Sequence, residues 1–314
     1  MVWEMITVHL LMAIGAVAGA PGEGGTCGLL RVASVQMEIS DIIDTNLQRI
    51  EKGIHEAGVA GARLVIFPES ALSGFDETTI GRLDWERLEQ AASKVSEAAR
   101  EHRVYVLYGT TVKSRGAKPY NTAILLGPDG KEITQYHKMV PEEWFEPGDH
   151  LSLFEIDGVP CTMIICRDQR FPELVRIPVL SGAQVCFLLS YTVDSPADAL
   201  RKREGYRAQI MARAVENSIW MVQSNAFGSP PGSEKTSFGR SRIVDPGGTV
   251  VAEAPEMAEA LLVQDIRPLE ANRKNAIKSL NIAPLSDWWR EGVKRSGLKA
   301  PSDAGSKETN PGAR

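Results

Sequence analysis

Cysteine is scarce in this chain. Four residues in 314, Cys27, Cys161, Cys166 and Cys186, are too few for a disulfide scaffold. Histidine is scattered: five residues with no metal-ligand spacing imply no metal site. Excess positive charge is missing as well. A net charge of −5 lacks the basic footprint of a nucleic-acid binder, so no nucleic-acid partner is expected. There is no Walker loop and no GxGxxG behind a strand, so no cofactor is expected. The one apolar leader-like run, residues 6–20, is too short for a membrane span, and no membrane partner is expected.

What is present is ordinary for a globular protein: 43% hydrophobic and 24% charged residues. The length supports one large α/β domain or two small ones. Residues 1–29 read as a leader. The segment 16–18, Ala-Val-Ala, fits a signal-peptidase site, yet Glu4 and His9 and the lack of early Lys or Arg argue against one. Localisation is therefore cytoplasmic or exported. The main domain is expected over 30–268. A C-terminal extension over 269–314 follows, with a disordered Pro-, Gly-, Ser- and Lys-rich tail from 300. The segment 287–290, Asp-Trp-Trp-Arg, can dock on a neighbouring surface.

Strands are expected at 30–37, 63–67, 104–108, 185–190, 219–224, 241–245, 249–252 and 260–265. The turns Gly127-Pro128-Asp129-Gly130 and Asp157-Gly158 predict two hairpins, 120–127 with 132–138 and 151–156 with 159–166. Asp44 and Asp84 read as helix caps. A long helix is predicted over 200–217, and a shorter one opens at Pro172-Glu173 with Pro178 interrupting or bending it.

The pivotal stretch is VPCTMIICRDQRFPELVR, 159–176. A buried strand ends at Cys166, where a polar turn begins, and α/β folds expose nucleophiles at such points. A lone cysteine there is more often a small buried residue. Two upstream segments change that balance: LVIFPESALSGF (64–75) and YHKMVPEEWFEPGD (136–149). With CRDQRFPE (166–173), RAQIMARAVEN (207–217), Asn225, Gly228 and GRSRIVDPGG (239–248), the chain over 30–265 resembles the nitrilase, or carbon–nitrogen hydrolase, superfamily. No one of these motifs is specific alone; their joint order is.

The resemblance implies a four-layer αββα sandwich, which periodicity alone does not distinguish from a doubly wound sheet. It also implies a Glu-Lys-Cys triad. Cys166 would form a thioester, and Glu69 would be the general base, its pKa raised by desolvation at a strand end. Lys138 and the backbone N–H of Arg167 would hold the oxyanion. A second glutamate near the leaving group falls on Glu142 or Glu143, and spacing to Pro147-Gly148 favours Glu143. Tyr191 either touches substrate or is a core tyrosine with a satisfied hydroxyl. Arg170, Glu173, Arg213 and Glu216 read as structural supports. The implied activity is hydrolysis of a small-molecule amide or N-carbamoyl compound by a homodimer or larger homo-oligomer. A nitrilase and a catalytically idle interaction subunit are the rival readings; the intact triad weighs against the idle one.

Overall fold

The computed structural model describes residues 28–298 apart from 231. Most of the leader and the tail expected from 300 lie outside the described residues. The chain opens with β1 (Leu30–Gln36), α1 (Ile43–Val59), β2 (Leu64–Ile66), α2 (Glu77–Gly81), α3 (Trp85–His102) and β3 (Tyr105–Val112). A hairpin of β4 (Tyr120–Leu126) and β5 (Glu132–His137) completes this half. The second half holds β6 (Phe154–Ile156), β7 (Val159–Ile165), a 3₁₀ turn over Cys166–Arg170, α4 (Glu173–Leu180) and β8 (Val185–Ser190). Then come α5 (Pro196–Asn217), β9 (Trp220–Asn225), the short pair β10 (Phe227–Gly228) and β11 (Ser237–Phe238), β12 (Arg242–Val244), β13 (Val250–Glu253) and β14 (Ala260–Ile266).

Two six-stranded sheets result, ordered β14-β1-β2-β3-β4-β5 and β13-β12-β9-β8-β7-β6. Each has three parallel strands at its centre and antiparallel strands outside them. Alternation along the strands decides the layers. Val32, Leu64, Ile66, Leu107 and Leu125 pack in one core with the second sheet. Their neighbours Ala33, Val65, Val106 and Ile124 pack with Ile50 and Ile54 of α1 and Leu88 and Val95 of α3. On the far side, Val175 and Val179 of α4 and Ile210 and Ala214 of α5 cover the second sheet. The sheets are also stitched directly: Ser34 Oγ donates to Gln223 O at 2.8 Å and Ser224 Oγ to Val35 O at 2.5 Å. The αββα order is the one implied by the resemblance.

Local expectations fare unevenly. Asp84 caps α3 by accepting the Arg87 N–H at 3.0 Å. Asp44 does not cap α1, because that helix starts at Ile43 with Ile42 as its cap residue; Asp44 instead accepts Arg87 Nε at 2.6 Å. The strand expected over 104–108 runs on to Val112, since β4 pairs with it as far as Val112–Tyr120. Beyond 268, where no regular pattern was read, two helices form, α6 (Lys274–Ser279) and α7 (Leu285–Ser296). Trp289 of α7 stacks under the Arg176 guanidinium of α4 at 5.7 Å, while Trp288 stays exposed.

Candidate active site

Three strand ends converge. Glu69 follows β2, Lys138 follows β5 and Cys166 follows β7. The Glu69 turn hugs β3 so closely that a Cβ on Gly109 would meet Pro68 O at 2.6 Å. Ser70 and Cys166 both carry positive φ, 54° and 43°, a conformation that costs a side-chain-bearing residue free energy and clusters at functional sites. At Cys166 it ends the strand abruptly and turns the thiol toward the cleft.

Glu69 is completely buried and fully bonded. Its Oε1 accepts Lys138 Nζ at 2.6 Å and Asn121 Nδ2 at 2.8 Å, and its Oε2 accepts the Tyr191 N–H at 3.0 Å. Lys138, equally buried, also donates to Glu142 Oε1 and Oε2 at 3.0 and 2.9 Å. The Cys166 Sγ lies 3.9 Å from Tyr191 O. It is near enough to Glu69, Lys138 and Glu142 for their charges to act on it.

Burial is the main cause that raises the Glu69 carboxyl above its ordinary range, opposed by Lys138 and by the Lys138 and Asn121 hydrogen bonds. Burial works against the Lys138 cation too, but Glu69, Cys166 and Glu142 together hold its pKa above normal. Burial, then the Glu69 charge, push the Cys166 thiol well up, and Lys138 only partly offsets them. A thiol whose pKa is held up in this way calls for a base that removes its proton during attack.

The second glutamate departs from expectation. Glu142 reaches Lys138, whereas the Glu143 side chain is exposed. The physical reason is the path of the loop: Gly148 N–H binds Lys138 O at 2.8 Å and Glu146 N–H binds Pro119 O at 2.8 Å. That folds the segment so that residue 142 points inward. Tyr191 contributes its backbone N–H to Glu69, while its buried hydroxyl has no partner. Arg170 pairs with no carboxylate among the described residues; it donates to the Tyr206 hydroxyl at 3.3 Å. Arg213 does support the nucleophile turn, donating to Gln169 O at 3.0 Å and pairing with Glu216 at 2.8 Å.

Sequence reasoning missed Asp168 and Asn121. Asp168 accepts the Tyr136 hydroxyl at 2.8 Å, Val140 N–H at 3.0 Å and Ile165 N–H at 3.2 Å, clamping the Lys138 loop to the Cys166 turn. Its place two residues after the cysteine was the available signal. Above the triad opens a cleft of about 370 Å³ whose lining includes Phe75, Trp144, Cys166, Arg170, Tyr191 and Lys235. Phe75 lies edge-on to both Trp144 and Tyr191 and covers the Lys138 Nζ at 5.9 Å. Among the described residues, no group of three or more His, Cys, Asp and Glu is arranged to hold a metal ion.

Stacked sheets carrying a carboxylate, an ammonium and a thiol on adjoining strand ends define the nitrilase type of αββα hydrolase. The chain belongs to the carbon-nitrogen hydrolase family, whose pattern matches residues 31–273. It is accordingly a hydrolase acting on C–N bonds. The omega-amidase of Mus musculus is 30% identical over 257 residues, 75% of this chain and 88% of that protein. The 2-oxoglutaramate amidase of Bacillus subtilis is 30% identical over 198 residues, 61% and 73% of the two chains. The N-carbamoylputrescine amidase of Arabidopsis thaliana is 27% identical, covering 78% and 89%. Among solved structures, an amidase of the nitrilase superfamily from Nesterenkonia has the same fold. Its TM-score is 0.69 at 23% identity, covering 80% of this chain and 95% of that one. No helix of the described residues is long and apolar enough to cross a membrane.

Proposed function

We propose that the protein is a thiol-dependent amidase acting on a small amide whose far end carries a carboxylate. The observation that carries the reaction type is the buried Glu69–Lys138–Glu142 array facing Cys166. Glu69 takes the Cys166 proton as sulfur attacks the amide carbon, and Lys138 with the Arg167 N–H receives the oxyanion. Glu142, already holding Lys138, accepts a substrate N–H and turns the nitrogen lone pair toward Glu69. The C–N bond then breaks, nitrogen takes the proton from Glu69, and ammonia leaves a thioester on Cys166. Water, deprotonated by Glu69, attacks that thioester; the carboxylic acid departs and the thiol is restored.

Charge at the cleft supports the substrate end. Among the described residues, Arg170 and Lys235 line it with no carboxylate in ion-pair range, whereas Asp194 is already taken by Lys202 at 2.6 Å and Tyr206 at 2.8 Å. Among the described lining residues, the exposed Glu143 is the one acid whose carboxylate pairs with no cation. Two cations without a described carboxylate partner against one such acid favour an anionic tail over the amine tail of a carbamoyl diamine. Ammonia release from glutaramate, 2-oxoglutaramate, N-carbamoylputrescine, butyramide and butyronitrile tests this. The carboxylate-bearing amides should turn over fastest and Cys166→Ala should abolish all turnover. Faster hydrolysis of the nitrile or of N-carbamoylputrescine refutes the substrate reading, and an active Cys166→Ala refutes the mechanism.

A further inference from the structure

The side chain of Arg167 lines the cleft. Its Nη1 donates to Pro141 O at 3.2 Å and its Nη2 lies 3.1 Å from Glu142 Oε1. Glu142 therefore stands between two cations: Lys138 from behind, on both oxygens, and Arg167 from the side, on Oε1. Lys138 comes from the same loop as Glu142, four residues earlier. Arg167 does not. It is the residue after the nucleophile, so its guanidinium ties the Glu142 loop to the turn that carries Cys166. A planar guanidinium can place one arm on a backbone carbonyl and the other on a carboxylate, which an ammonium cannot do at fixed geometry.

We propose that Arg167 is a positioning residue that sets the Glu142 carboxylate relative to Cys166. It thereby fixes the direction from which the amide nitrogen is held while its C–N bond breaks. This rests on the role given above to Glu142. The Arg167 side chain is 39% exposed, and Glu142 keeps both Lys138 hydrogen bonds without it, so losing the guanidinium costs little stability. Its effect is expected on turnover.

The test is a double-mutant cycle on glutaramate and on p-nitrophenyl acetate. The ester has no N–H to orient, and its leaving group departs without a proton. Arg167→Met should lower kcat on the amide by about 10- to 100-fold, the scale of misplaced reacting groups. Its KM and melting temperature should change little, and ester hydrolysis should stay within roughly threefold. Arg167→Lys should recover part of the loss. In a Glu142→Gln background, Arg167→Met should cost no more than about twofold, because residues acting as one unit are non-additive. A full-sized further loss in that background, an equal loss on the ester, or no loss in Arg167→Met overturns the proposal. Turnover by Cys166→Ala would instead overturn the reaction mechanism beneath it.

Discussion

Replacing Gly109 by alanine tests how tightly the general base is held. Gly109 lies in β3 opposite Ala123, and its φ is not the issue. The issue is approach: an added Cβ would meet Ser70 N, Pro68 O at 2.6 Å and Glu69 C at 2.8 Å, where ordinary contact begins at 3.4 Å. All three are backbone atoms and cannot rotate away. The Glu69 turn must retreat by roughly 1 Å, an overpacking that costs about 1–3 kcal/mol. A carboxylate shifted that far cannot keep Lys138 at 2.6 Å, Asn121 at 2.8 Å and the Tyr191 N–H at 3.0 Å together. A displacement near 1 Å of a reacting group lowers turnover about 10²-fold. The assay is kcat for ammonia release beside the melting temperature by circular dichroism. Gly205→Ala is the control: Gly205 lies exposed in α5 with nothing near its Cβ position. That change should leave kcat alone and stabilise by about 0.4–1 kcal/mol. Wild-type kcat in folded Gly109→Ala would refute the reasoning.

Because the base must be ionised, the acid limb of kcat/KM should lie above the usual glutamate range, with activity lost as pH falls through the raised Glu69 pKa. Asn121 donates to the charged form, so Asn121→Ala should move that limb to higher pH; a limb moving down contradicts the assignment. Glu142→Gln should lose about 10²-fold in kcat, whereas Glu143→Gln, measured the same way, should stay near wild type on butyramide. Cys161→Ala and Cys186→Ala, both in the sheet core, should keep turnover and lose melting temperature instead. Light scattering should give a dimer or larger assembly, in line with the apolar Ile282, Leu285 and Trp288 left exposed near the C-terminal helix; a monomer at micromolar concentration rejects this.

Glu69 and Cys166 follow apolar strands, but Lys138 follows the polar strand Glu132–His137, so the three could be named together only through resemblance. The four layers were legible only through resemblance, since Val32 and Ala33 look alike in sequence although one faces a sheet and the other helices. Spacing to Pro147-Gly148 favoured Glu143, whereas the structure turns Glu142 toward Lys138, because the loop path is held by backbone bonds to the Pro119 and Lys138 carbonyls that spacing does not reveal. Asn121 acts on a partner 52 residues away in sequence, a range at which composition carries no signal, and for Asp168, whose Tyr136 partner is 32 residues away, the one cue was its place two residues after Cys166. The cap misread at Asp44 has the opposite origin: a one-residue shift in the helix start, which local propensity does not resolve.

The Tyr191 N–H bond to Glu69 reaches further than the chemistry it serves. Lys138 and Asn121 grip that carboxylate from the first sheet, while Tyr191 grips it from the end of β8 in the second. Neither half of the chain can build the base alone, and a slip of one layer over the other would release it while every strand kept its own neighbours. Turnover is therefore a gauge of sheet alignment. During heating or partial denaturation it should fade before the far-ultraviolet dichroism does, reporting the docking of the two halves and not the integrity of either.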